Sequence, residues 1–76
     1  MQRSVCRRAK NLRRKILQSI PSLNGRLTVA TLDGNWGYAV EVWENFPSGP
    51  TAVATIKIRR RNLNIKGLIS QVLLLA

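Results

Sequence analysis

Apolar residues recur along this chain in two rhythms, and the changes of rhythm divide it into five segments. From residue 4 to residue 20, Val5, Ala9, Leu12, Ile16 and Ile20 stand at i, i+4, i+7, i+11 and i+15, one stripe of a 3.6-residue period. That spacing predicts a helix with Ser4 at its N-cap. Pro21 cannot continue it, and residues 21–25 form a connection that turns at Asn24 and Gly25. The period then falls to two. Over residues 26–32, Leu27, Val29 and Thr31 share one face of a strand, opposite Thr28 and Ala30. Asp33, Gly34 and Asn35 provide the positive-φ positions of a tight hairpin turn. A second strand over 36–46 puts Trp36, Tyr38, Val40 and Val42 on one face and Gly37, Ala39, Glu41 and Trp43 on the other. Residues 47–50, Pro-Ser-Gly-Pro, break it. A third strand over 51–60 sets Ala52, Ala54, Ile56 and Ile58 against Thr51, Val53, Thr55, Lys57 and Arg59. The helical period returns after Asn62 or Asn64 as cap, with Ile65, Leu68, Ile69, Val72, Leu73 and Ala76 in one stripe.

The order is α-β-β-β-α, an α+β fold in which hairpin-length loops make a three-stranded antiparallel sheet. Both helices carry apolar stripes, so both pack on one face of the sheet and leave the other open. Removing the first helix would then uncover Trp36, Tyr38, Val40 and Ile56. The chain, residues 1–76, reads as a single small domain. A chain of this size buries only about 60% of its unfolded surface, so docking or oligomerisation is expected to supplement its own core. The Leu-rich C-terminal helix is the natural place, with Leu68, Val72, Leu74 and Leu75 facing a second copy or a protein partner. The helix–three strands–helix order is similar to that of double-stranded RNA-binding domains. Those domains begin their second helix with a Lys-rich motif. Here that region reads NLNIKGLIS with Lys66 alone, and an Arg triplet precedes it, so the resemblance is one of architecture.

Charge changes the picture most. Thirteen Lys and Arg against three Asp and Glu give a formal charge of +10 and a pI near 11.7. A field this one-sided fits a polyanion. Seven of the bases lie in the first twenty residues: Arg3, Arg7, Arg8, Lys10, Arg13, Arg14 and Lys15. Arg3, Arg7, Lys10 and Arg14 fall within roughly 60° of one another on the outer side of the first helix. Cations at i and i+4 repel, and cations in a first turn oppose the helix dipole, so local stability does not explain the ridge. A second cluster, Lys57, Arg59, Arg60 and Arg61, closes the third strand. Trp43, on the open face, is the aromatic expected to stack a base or an arginine beside it. The three acids, Asp33, Glu41 and Glu44, are expected to gather at the first hairpin and keep the nucleic-acid footprint away from its tip.

The inventory argues against catalysis. There is no His, the commonest general acid or base, and Glu41 and Glu44 have opposite parity on their strand. The lone Cys6 has no His or second Cys with which to hold a metal, and its expected role is a small hydrophobe near the helix start. The glycines lack phosphate-loop spacing. No catalytic residue, metal or cofactor is therefore expected. No apolar run reaches eighteen residues, so no transmembrane segment is expected. The single cysteine fits a reducing compartment, cytoplasmic or nucleoid-associated, while the Arg-rich amphipathic start also fits an organellar targeting segment.

The function expected from these features is nucleic-acid binding, RNA ahead of DNA, mainly by phosphate contacts. The residues are Arg3, Arg7, Arg8, Lys10, Arg14, Lys15, Lys57, Arg59, Arg60 and Arg61, with Trp43. The alternative is a small structural subunit or assembly factor, in a ribonucleoprotein for example, that docks by its C-terminal helix. A third reading lays the first helix on an anionic membrane, and the absence of Trp or Phe from its apolar stripe weakens it.

Overall fold

The structure is a computed structural model that describes residues 7–75. Arg3, Ser4, Val5, Cys6 and Ala76, which entered the sequence reading, lie outside the described residues. Helix α1 (Arg7–Ser19) buries Ala9, Leu12 and Ile16, the stripe set by the 3.6-residue period. It stops where Pro21 removes the next donor, and residues Pro21–Leu23 form a 3-10 turn that drives Leu23 into the core. The chain reverses and runs back as strand β1 (Leu27–Thr31) beneath α1. Strands β2 (Gly37–Phe46) and β3 (Gly49–Arg59) follow, then helix α2 (Ile65–Leu75). The sheet is antiparallel in the order β1-β2-β3. Both helices cover one of its faces. Leu12 and Ile16 of α1 and Leu68 and Val72 of α2 join Leu27, Val29, Tyr38, Val40, Val42 and Ile56 in one cluster.

Three local features shape the sheet. The β2–β3 hairpin closes on two residues, Pro47 and Ser48, because Phe46 pairs with Gly49, whose φ of +124° only glycine tolerates easily. The four-residue break expected at 47–50 is therefore shorter, and β3 begins two residues early. In β3 the register slips by one at Val42/Trp43: Ala54 pairs with Val42 but Ala52 pairs with Trp43. Val53 is the extra residue of this bulge. Ala52, expected to face inward, thereby moves to the face of Trp43, since directly paired residues share a face. The third feature is Gly37. A Cβ there would meet the Ile58 carbonyl oxygen at 2.2 Å and the Arg59 Cα at 3.1 Å. All three of its nearest atoms are backbone, so only glycine lets β2 and β3 approach this closely.

The largest correction concerns Trp36. Leu32 N–H donates to the Gly37 carbonyl at 3.0 Å, so the β1–β2 loop contains four residues, 33–36. Trp36 belongs to that loop, with helical φ of −78° and ψ of −13°, and strand alternation no longer directs its side chain. It is 42% exposed rather than buried beneath α1. Leu68 and Val72 need the opposite correction. Expected at a partner interface, they are 2% and 0% exposed in the chain's own core, because α2 turns its main stripe onto the sheet.

At the start of α2, the Asn64 side chain accepts from the Gly67 N–H at 3.1 Å, an N-cap worth about 1 kcal/mol. Asn64 rather than Asn62 fills that role. No described helix is long and apolar enough to cross a membrane.

Candidate nucleic-acid interface

The site is assembled by the direction in which α1 returns. Helix α1 and β1 run in opposite senses, so the N-terminal end of α1 lies over the β1–β2 loop and the exit of β3. Arg8, Asn11, Leu12 and Lys15 of α1 accordingly line one cavity with Tyr38, Leu63 and Ile65. Leu63 N–H donates to the Arg60 carbonyl at 3.2 Å, and Arg60 N–H donates to the Trp36 carbonyl at 2.8 Å. These bonds tie the loop to the arginine triplet, and Leu63 carries the chain from the triplet to the cavity it shares with α1. Arg8 and Lys15 therefore stand toward the same end of the molecule as the triplet, although more than forty positions separate the two clusters in sequence.

From that end the cations spread along two routes. Arg7, Lys10 and Arg14 continue along the exposed crest of α1. Lys10 and Arg14 flank a groove completed by Arg13, Leu17 and Gln18. Arg13 itself is a structural residue: its Nε donates to the Leu27 carbonyl at 3.0 Å, covering an outward acceptor of edge strand β1. The other route lies on the open face, where Lys57 pairs with Ala39 and Arg59 pairs with Gly37. Arg7, Arg8, Lys10, Arg14, Lys15, Lys57, Arg59, Arg60 and Arg61 are all exposed.

At the junction, the Arg59 guanidinium carbon sits 5.0 Å from the centroid of the Trp36 ring, a cation–π contact. Trp36, Arg59, Arg60 and Arg61 enclose a shallow cleft of about 500 Å³. Sequence periodicity assigned Trp36 to the core and so missed it as a site residue. The available signal was the run Asp-Gly-Asn-Trp, in which a four-residue loop would absorb the tryptophan.

Trp43 is not part of this junction. It is half-buried at the other end of the open face, and its Nε1 donates to Thr28 Oγ1 at 2.9 Å. It stands six positions along β2 from Gly37, about 20 Å at 3.3–3.4 Å per residue. It braces β1 against β2 across the open face.

The acids do not gather as expected. Asp33 lies in the Trp36 loop, Glu41 accepts from Thr55 Oγ1 at 3.4 Å in mid-sheet, and Glu44 pairs with Arg26 near the opposite end. Arg26 also donates from Nε to the Trp43 carbonyl at 3.0 Å, so it closes the β1–β2 ladder and is not available to the basic surface. Glu44 thus neutralises Arg26 near the end of the sheet far from the arginine triplet, and Glu41 lies between the two ends.

The class defined by this geometry is a small α+β domain whose exposed cations lie along α1 and at the end of β3. No protein-family model matches the chain, and neither the curated proteins nor the solved structures gave a match.

Proposed function

We propose that this chain binds nucleic acid, RNA ahead of DNA, chiefly through phosphate contacts. The observation that carries the reading is that Arg8 and Lys15 line a cavity with Leu63 and Ile65, just past the exposed Arg59–Arg61 run, while Arg7, Lys10 and Arg14 stand exposed along α1. Cations placed side by side repel one another, and a bound polyanion relieves that repulsion while releasing counterions. The element order it shares with RNA-binding domains is what ranks RNA first. Neither cationic route offers a base-reading motif, so most of the affinity is independent of sequence.

The test is a salt titration of binding to labelled RNA and DNA oligonucleotides by fluorescence anisotropy. With six phosphates engaged, log K is expected to fall with log salt at a slope of about −4 to −5. A flat titration overturns the reading.

A second reading is favoured by one observation. Leu73, Leu74 and Leu75 leave an apolar edge on α2, with Leu74 86% exposed. A structural subunit docking by this edge fits it. Leu74→Ser with Leu75→Ser is then expected to abolish self-association or partner capture, measured by sedimentation, and to leave polyanion affinity within twofold. Unchanged sedimentation of a wild-type assembly would remove these leucines from any interface.

A further inference from the structure

We infer that the Trp36 corner captures an unpaired base together with its adjoining phosphate, so that the chain favours single-stranded over duplex nucleic acid. This rests on the nucleic-acid reading above and specifies the ligand of its junction. An exposed tryptophan in a solvent-facing loop forgoes the burial that such a ring normally finds. Here the ring is held in place. The Leu32–Gly37 hydrogen bond closes the loop, the Arg60 N–H fixes the Trp36 carbonyl, and Gly37 locks β2 against β3 directly beside it. The Arg59 guanidinium then orients the indole from 5.0 Å. An indole on this braced backbone, in a residue 42% exposed, is a stacking platform.

The surroundings select the ligand. Arg59, Arg60 and Arg61 share the cleft with the ring, and guanidinium forks recognise phosphate oxygens by paired hydrogen bonds. The cleft, about 500 Å³, falls within the roughly 300–1,000 Å³ of small-ligand sites. An aromatic plane beside three guanidiniums matches a nucleotide unit: a flat π-face linked to an anion. A paired base offers no such face, because its neighbours in the duplex already cover it. A duplex can touch the arginines, whereas an unpaired nucleotide can satisfy both halves of the cleft. The sheet's other tryptophan cannot supply this, being half-buried and bonded to Thr28.

The experiment compares four probes by anisotropy at one low salt concentration: a short adenine oligoribonucleotide, an abasic strand of equal length and charge, a blunt RNA duplex, and free adenosine monophosphate as competitor. Wild type is expected to bind the adenine strand about 5- to 100-fold more tightly than the abasic strand, within the range that one stacked base provides. Trp36→Leu is expected to erase that difference while leaving abasic and duplex affinities within twofold. Trp36→Phe keeps a stacking ring and is expected to restore most of it, and Trp43→Phe to leave it intact. Far-UV circular dichroism of each variant establishes that the fold is retained. Equal wild-type affinity for adenine and abasic strands, with salt-dependent binding to both, overturns the base-capture inference and leaves the phosphate reading standing. No binding to any strand overturns both. Competition by adenosine monophosphate at oligonucleotide-like concentrations overturns the strand preference and assigns the cleft to free nucleotides.

Discussion

Ile16→Asp is expected to leave no cooperatively folded protein at room temperature. Ile16 is fully buried on α1, in the cluster that α1 shares with the sheet and α2. The substitution removes an apolar side chain whose burial contributes about 1.5–3 kcal/mol. It also places a carboxylate where no described charged side chain is buried to pair with it, at a cost of several kcal/mol more. A chain of 76 residues at about 0.05–0.15 kcal/mol per residue has roughly 4–11 kcal/mol of total stability to lose. The two costs together match or exceed most of that range. Loss of the far-UV helical signal and of a thermal transition is the expected result, and nucleic-acid binding in its specific form should go with it. Leu12→Asp, three per cent exposed in the same stripe, is expected to behave alike. A native-like melt for either variant would show that α1 is not a wall of the core.

The opposite face of the same helix is expected to behave in the opposite way. Arg7→Ala, Lys10→Ala and Arg14→Ala in combination should keep the fold and abolish most of the binding. All three side chains are exposed, alanine is a better helix former than any of them, and removing neighbouring cations relieves repulsion within α1. The thermal midpoint should therefore hold or rise. Each phosphate that no longer meets a cation should flatten the salt slope by nearly one unit, so the triple variant is expected to be shallower by about 2 to 3. At moderate salt this corresponds to an affinity decrease on the order of 10²-fold, uniform across sequences. Anisotropy titrations at several salt concentrations provide both numbers. An unchanged slope would place the polyanion elsewhere on the surface. Together the two variants separate the apolar wall of α1 from its cationic crest.

Much of the fold was legible from residue spacing. The stripes of α1 and α2, the inward alternation of Leu27, Val29, Tyr38, Val40, Val42 and Ile56, and the hairpin order all follow from period and turn chemistry. The misreadings have local causes. Trp36 shares the parity of Tyr38, but a loop of four residues rather than three took it out of the strand. Ala52 shares the parity of Ala54, but a one-residue bulge at Val53 inverted its direction. Periodicity carries no warning of either, because loop length and bulges are decided by how the strands pair. Period set Leu74 and Leu75 outside the stripe of Leu68 and Val72 but put Leu73 within it, and Leu73 is 57% exposed. Only the rotation of α2 on the sheet divides that stripe into core and surface.

The sequence by itself determined the chemical character of the molecule: a cationic surface, an inventory poor in catalytic groups, and elements whose apolar faces call for one another. Composition and period are local properties, and they survive any arrangement of the segments. The tertiary structure decided where that character is concentrated. Because β1 returns antiparallel to α1, Arg8 and Lys15 near the start of the chain lie over Leu63 and Ile65, just past Arg59, Arg60 and Arg61 near its end. Because Gly37 admits the Ile58 carbonyl so closely, β2 and β3 lock beside the loop that holds Trp36 in solvent. The shared placement of the cations has no local signature, since it arises from contacts between residues remote along the chain, and the exposed ring had one only in the run Asp-Gly-Asn-Trp, which strand parity outweighed.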